Sequence, residues 1–394
     1  MMFIEENCER CGSCLSKCPY LDVSEEKAKE EIIKMIKTRT ASEFLDDCLE
    51  CAYCNTICPT QSNPRELIRE INIKSLRENG LLGLNMMSEE IPINTATISL
   101  EFESETKQKN LKEYLHPPKS EKMFYLGCSL SYRHTDLVNF KILIEFPKIG
   151  GLKYCCGGYV KNFGIEEVIL KGKALLEEFE SFGVSEFIIF CPGCTRMMKD
   201  VYSNLIPEFQ EKIKVKTFSQ YLIEKYHNDE LTFTNKIRKR ITFHDPCAWR
   251  SLDSEVFDAP RELLEILGAE LVEMKHKRKK TLCCGSSCMY SKHERFKEVS
   301  EMRISEAEEV EAELIAVSCT GCLALAKPSR NKNIETYHIL ELAQIAIGEK
   351  PPHRTIEISE KLNDLVNKTI TKNPYLLKDK YLIKEGKIHR VQVD

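Results

Sequence analysis

Nineteen cysteines stand in a chain of 394 residues, and their spacing is regular. Two runs near the N-terminus hold four each: Cys8, Cys11, Cys14 and Cys18, then Cys48, Cys51, Cys54 and Cys58. Two later sets hold five each: Cys128, Cys155, Cys156, Cys191 and Cys194, then Cys247, Cys283, Cys284, Cys319 and Cys322. Cysteine in such numbers forms disulfides or ligates metal. Disulfides belong to exported chains in oxidising compartments. The N-terminus, "MMFIEENCER", is acidic and has no long apolar core, so it does not read as a signal peptide. Metal ligation in a reducing, cytoplasmic setting is the better expectation.

The first two runs are the most specific. "CERCGSCLSKCP" and "CLECAYCNTICP" both follow C-x2-C-x2-C-x3-C-P. This is the bacterial ferredoxin spacing for 4Fe–4S cubanes, in which the fourth cysteine ligates the other cluster. One cubane should therefore use Cys8, Cys11, Cys14 and Cys58, and the other Cys48, Cys51, Cys54 and Cys18. Zinc at C-x2-C pairs is the simpler alternative. It explains neither the third cysteine, the x3 step nor the proline, each present twice.

The two later sets share one plan: a lone cysteine, an adjacent pair followed by glycine, and a C-x2-C. From each pair to its C-x2-C there are 34 intervening residues in both copies. Upstream the copies differ, with 26 residues between Cys128 and Cys155 and 35 between Cys247 and Cys283. A tetrahedral zinc or a cubane needs four ligands. Five thiolates in one constellation, written twice, point to a larger or less regular cluster. Gly157 and Gly285 follow the pairs, where a cluster would press against backbone.

These sets need elements to hold them. "KMFYLG", "EFIIF", "RITFH" and "ELIAV" read as short buried strands. "IEEVILKGKALLEEFESFG" and "ERFKEVSEMRISEAEEVEAE" have helical periodicity, the first ending at a glycine stop. Each copy should run strand, helix, strand, helix, strand, helix, which implies a parallel α/β sheet. Cysteines just after strands fall at the sheet's carboxyl edge, where ligands gather. "EEKAKEEIIKMIK", between Cys18 and Cys48, reads as a helix. The expected architecture is a small helical ferredoxin-type domain over residues 1–80 and a linker with some local structure over 81–120. Two pseudo-symmetric parallel-sheet domains follow over 121–235 and 236–349, then a polar C-terminal extension over 350–394.

The pattern C-x(n)-C-C-G-x(34)-C-x2-C resembles the cysteine-rich, or CCG, domain of heterodisulfide reductase. "HDPC", "DAPRELL" and "LCCG" strengthen the likeness, which covers residues 1–349. The domain order is similar to the D-type subunit of the membrane-linked enzyme, and equally to a fusion of the C-type and B-type subunits of the soluble one. The resemblance implies non-cubane 4Fe–4S clusters at which a disulfide is cleaved, one at each five-cysteine set. The short interval of the first repeat leaves zinc as the alternative occupant of the first set. It also implies a catalytic subunit of a reductase for the coenzyme M–coenzyme B disulfide. The alternative is an electron-transfer subunit of a glycerol-3-phosphate, lactate or glycolate dehydrogenase complex, passing electrons to quinone or another carrier. Such subunits often have incomplete CCG motifs, whereas both motifs here keep all five cysteines.

Other candidates carry less. His244 could deliver a proton or simply bond at a strand end. Arg133, beside His134, could hold an anionic group of a substrate or lie on the surface. Trp249 and Tyr290 could line a pocket or pack in the core. Cys288 belongs to no motif and reads as a buried thiol. A net charge of −4 speaks against nucleic-acid binding. No apolar run is long enough to span a membrane, so contact with the inner membrane face would need a partner. The sequence has no G-x-G-x-x-G after a strand, no P-loop and no H-E-x-x-H. The reductant is therefore expected from a partner: a flavin-containing subunit, a hydrogenase, a formate dehydrogenase or a membrane cytochrome b.

Overall fold

Capping chemistry and apolar spacing set the helices that frame the first eight cysteines. In a computed structural model, which describes residues 2–41, 43–102, 105–289 and 292–391, the expected helix is α1 (Glu25–Thr38). Ser24 caps it by accepting from the Lys27 N–H at 3.3 Å, and Glu25 and Glu26 occupy the positive end. Its buried face is Ala28, Ile32, Met35 and Ile36, a helical stripe. A second helix, α2 (Pro64–Asn79), starts on a proline and ends at Gly80, whose N–H bonds Leu76 O. The first run of four cysteines precedes α1, and the second lies between the two helices. Strand β1 (Leu81–Leu82) follows.

Two parallel four-stranded sheets come next. The first holds β2 (Lys122–Leu126), β3 (Lys148–Gly150), β4 (Glu186–Ile189) and β5 (Lys214–Thr217), in the order β3-β2-β4-β5. Helix α3 (Ile165–Ser181) crosses from β3 to β4, and α4 (Phe218–His227) follows β5. The second sheet holds β6 (Arg240–His244), β7 (Glu270–Leu271), β8 (Leu314–Val317) and β9 (Glu335–His338), in the order β7-β6-β8-β9. Its crossing helices are α5 (Glu255–Ile266) and α6 (His293–Glu309). The two strand orders are the same, so the repeat is structural as well as written.

Two expectations need correction. Each repeat has four strands rather than three, because "KVKT" and "ETYH" are too short and polar to read as strands alone. The first repeat also lacks a long helix between its first two strands. Short 3₁₀ turns at Thr135–Val138 and Lys141–Ile144 stand where the second repeat has α5. That substitution accounts for the shorter interval after Cys128.

Alternation along the strands divides the interior. Phe124 and Ile188 face one core shared with Phe243 and Val317 of the second sheet. Tyr125, Phe187 and Ile189 face a separate core with Tyr154 and Tyr202. The two sheets thus share one apolar core, to which α4 and α5 contribute.

The C-terminal residues are folded against the segment before the first sheet. Helix α7 (Thr355–Lys372) buries Leu362 with Leu84, Ile98 and Leu376. Strands β10 (Lys380–Lys384) and β11 (Lys387–Val391) form an antiparallel hairpin, and β10 pairs with β1. The expected linker and extension are therefore packed on one another through β1 and the cluster around Leu362. No helix among the described residues is long and apolar enough to cross a membrane.

Candidate metal centres

All nineteen cysteines are free thiols. In the N-terminal module they gather in crossed sets. Cys14 is held up at about 12 by burial, then by the neighbouring Cys58, Cys8 and Cys11. Burial likewise pushes Cys48 up to about 12, with Cys51 and Cys18 adding to it. Cys54 is raised by burial and by Cys48, Cys14, Cys51 and Cys18. Cys18 thus lies beside Cys48, Cys51 and Cys54 of the other run, and Cys58 lies beside Cys14. Burial raises the Cys58 thiol, but bonds from Ser62 and Thr60 outweigh it and leave the thiol lowered. Its sulfur is 3.2 Å from Ser62 Oγ and 3.6 Å from Thr60 Oγ1. Cys11 is exposed, so this end of the module reaches the surface.

The five cysteines of each later set also come together. Cys128, despite its short following interval, lies beside Cys155, Cys155 beside Cys156, Cys156 beside Cys194, and Cys194 beside Cys191. In the second set the chain is Cys247, Cys283, Cys284, Cys322 and Cys319. Proton sharing along these chains spreads the acidities. Bonds from Cys155 and Cys194 hold Cys156 at about 5, and a bond from Cys283 holds Cys247 at about 7. Crowded thiols that trade protons and form no disulfide are a donor set suited to a multi-iron cluster. The residues fit the group that the sequence implies.

Left-handed backbone explains the glycines after each pair. Gly157 has φ +70° and Gly285 φ +80°. A Cβ there would meet the Tyr202 hydroxyl at 3.0 Å, or Phe296 and Val299 at 3.2 Å. The left-handed conformation and the protein packing both demand glycine at these positions.

The N-terminal module reaches both repeats through polar contacts to backbone. Arg69 Nη2 donates to Lys161 O at 3.2 Å and Arg77 Nε to Phe163 O at 2.9 Å, both in the first repeat. On the second repeat, Arg250 donates to Cys51 O at 2.7 Å, Lys279 O at 2.7 Å and Thr281 O at 2.6 Å. The Cys283 N–H donates to the Tyr20 hydroxyl at 2.5 Å. Cys18, Cys51 and Cys283 share one apolar cluster with Tyr20 and Tyr53. The cysteine set containing Cys18 and Cys51 therefore abuts the second five-cysteine set. Beside Cys156 of the first set stands Lys161, whose ammonium is lowered to about 7 by burial, with Arg196, Arg65 and Arg69 close by.

A cavity of about 250 Å³ opens between the repeats. Ser129, next to Cys128, lines it from one side, and Ser286, Thr320 and Gly321 line it from the other. Ile358 and Leu362 of α7 form a further wall. Arg133 and His134 lie in this lining, and Arg133 Nη2 bonds Thr95 Oγ1. Trp249 is buried against Phe257 and is a core residue. Cys288 is buried too, where the first repeat has Val160. Tyr290 lies outside the described residues.

Several site residues escaped the sequence reading. Tyr20 and Arg250 act through backbone groups, which leave no motif. Arg303 and Glu306 lie on α6 beside His244. The repeats themselves mark Arg303: without gaps it falls opposite Leu175, a charge at a core position, whereas Glu306 falls opposite Glu178.

Comparisons agree with this arrangement. A family model described as "4Fe-4S dicluster domain" matches residues 7–63, and one described as "Cysteine-rich domain" matches residues 241–325. The chain is 24% identical to the D-type subunit of the dihydromethanophenazine:CoB–CoM heterodisulfide reductase of Methanosarcina acetivorans, covering 87% of this chain and 94% of that protein. It is 23% identical to the B-type subunit of the fumarate reductase (CoM/CoB) of Methanothermobacter marburgensis, covering 87% and 72%. It is also 23% identical to a probable glycolate oxidase iron–sulfur subunit of Bacillus subtilis, covering 87% and 94%. With a dicluster module matched at residues 7–63 and a cysteine-rich domain at 241–325, the chain is similar to iron–sulfur subunits of multi-subunit oxidoreductases, the D-type subunits of heterodisulfide reductase among them.

Proposed function

We propose that the chain is the catalytic iron–sulfur subunit of a disulfide reductase of the heterodisulfide type. The observation that carries this reading is the cavity between the repeats. Its walls include the residue after Cys128, the serine two residues after Cys284 and the residue after Cys319. A disulfide seated there would lie beside both five-cysteine sets. Cleavage takes two electrons and two protons and yields two thiols. Clusters bound in the sets supply one-electron reduction when present. Cys8, Cys11, Cys14 and Cys58 would hold one cubane, and Cys48, Cys51, Cys54 and Cys18 the other. Cys128, Cys155, Cys156, Cys191 and Cys194 would hold one non-cubane cluster, and Cys247, Cys283, Cys284, Cys319 and Cys322 its counterpart. The Arg133 guanidinium offers an anchor for an anionic substituent. Electrons come from a redox partner subunit, which the exposed edge at Cys11 suits. The protein works in the cytoplasm and meets a membrane through that partner.

The test is anaerobic reduction of the coenzyme M–coenzyme B disulfide by reduced viologen, using the purified complex. Turnover dependent on Cys283 and Cys155 is expected. Absence of turnover with a full iron complement would favour a second reading, an electron-transfer subunit feeding quinone or another carrier. One observation supports that second reading: the cavity is smaller than most substrate pockets, which run from about 300 Å³ upward.

A further inference from the structure

The two five-cysteine sets are built alike but surrounded differently. Tyr125 pairs with Ile189 across the first sheet, and His244 pairs with Val317 across the second. Ile189 and Val317 each lie two residues before the C-x2-C, so Tyr125 and His244 occupy equivalent positions. Tyr125 turns its hydroxyl to Tyr154 O, a backbone carbonyl. His244 instead faces the cysteines: one ligand atom each of His244, Cys284 and Cys322 fall within 4.8 Å of one another. Behind it stands Arg303, fully buried, whose Nε donates to His244 Nδ1 at 2.9 Å. Arg303 is held in turn by Glu306 Oε2 at 2.5 Å and His276 O at 2.7 Å. The first repeat has Leu175 in place of Arg303.

Elementary hydrogen-bond chemistry fixes the imidazole. A nitrogen that accepts from a guanidinium carries no proton, so in the neutral ring the proton sits on Nε2. Nε2–H can donate to a sulfur but cannot ligate a metal. To ligate through Nε2 the ring would have to place its proton on Nδ1, against the Arg303 donor. A donor aimed at a cluster thiolate offsets its negative charge and favours the more reduced state.

We propose that His244, locked by Arg303 as a donor to Cys284, is a positioning residue that raises the reduction potential of the second cluster above that of the first. This rests on the reading that the second cysteine set holds an iron–sulfur cluster.

The test is a redox titration of the full-length iron-loaded protein, with dithionite as reductant and electron paramagnetic resonance as readout. The signal lost in Cys283→Ser identifies the second set. In His244→Phe that signal should persist, with its reduction equilibrium constant at least about tenfold lower, a fall of about 59 mV for a one-electron couple. His244→Gln, whose amide N–H can replace Nε2–H, should restore much of the difference. Arg303→Leu, which copies the first repeat, should lower the potential with iron content intact. Signals from the first set serve as the internal reference and should not move. An unmoved second-set potential in both His244→Phe and Arg303→Leu would overturn the proposal. Loss of four irons in His244→Phe with the cubanes retained would overturn it by making His244 a ligand. Native protein without iron at the second set would instead overturn the underlying reading.

Discussion

The Ser129 hydroxyl meets the Thr320 hydroxyl at 2.8 Å, across 191 residues of chain. Each belongs to a turn that carries cysteines: Ser129 follows Cys128, and Thr320 separates Cys319 from Cys322 within the C-x2-C. The bond therefore ties the two five-cysteine sets to a common edge of the cavity. Parallel sheets present their carboxyl ends to ligands, and two such ends facing each other form a cleft with reactive groups on both sides.

Filling that cleft should separate substrate access from cluster assembly. Thr320→Phe places a ring in the cavity without touching a cysteine. Disulfide reduction should fall by about 100-fold or more, the scale of a reacting group displaced by an ångström. Iron content and the cubane spectra should stay as in the native protein. Thr320→Val, which removes the hydroxyl but not the volume, should retain most activity. Equal loss in both variants would mean that the bond itself, rather than the space, matters.

Arg250 should be the residue that fastens the N-terminal module to the second repeat. Its guanidinium satisfies three carbonyls, one of them that of Cys51, and it lies over the Tyr53 ring. Hydrogen bonds from a charged donor each contribute about 1.5–3 kcal/mol, and orphaned carbonyls add to the loss. Arg250→Ala should thus destabilise the protein by about 3 kcal/mol or more, measured by chemical denaturation under anaerobic conditions. Limited proteolysis should release the N-terminal module sooner. Arg250→Lys, a single point donor, should recover only part of either effect.

How much of this was legible beforehand follows from the physics of each part. The closeness of Cys58 to Cys14 was, because the spacing of the two runs is a local property that survives any change of surroundings. The repeat was visible because 34 residues recur between the same cysteines. The missing helix of the first repeat was not, since a run such as "HTDLVNFKILIEFPKIG" has apolar residues for a helix but breaks at Asn139 and Pro147. The pairing of β1 with β10 joins residues 81–82 to 380–381, and nothing local records so distant a ladder. Arg303 and Glu306 look like surface charges on a polar helix. They are revealed as buried only by the way α6 packs on His244.

Acid should weaken the second repeat through His338. Burial, against the pull of Glu341, lowers its imidazole to about 4. The unfolded chain would titrate near 6.5. The native state then binds fewer protons than the unfolded one, so stability is complete above about pH 6.5 and is lost as pH falls towards 4. The full loss is on the order of 3 kcal/mol. His338 accepts from Leu340 N–H at the start of its helix, as Thr217 accepts from Gln220 N–H in the first repeat. His338→Thr should keep that cap and remove the acid sensitivity. Urea midpoints at pH 7.5 and pH 5 should converge in the variant and differ in the native protein.

The crossed cysteine sets make a distinctive prediction for Cys58. If each run closed on itself, Cys58→Ser would free Cys48, Cys51 and Cys54. In the structure Cys58 stands instead beside Cys14, whose other cysteine neighbours are Cys8 and Cys11. Cys58→Ser should therefore expose Cys8, Cys11 and Cys14 to alkylation in the iron-loaded protein, and leave Cys48, Cys51 and Cys54 protected. Iron should fall by about four from a full complement of about sixteen per chain. Cys18→Ser should give the reverse labelling pattern. Mass spectrometry of the alkylated peptides reads both outcomes, and protection of Cys11 in the Cys58→Ser protein would rule out the crossed arrangement.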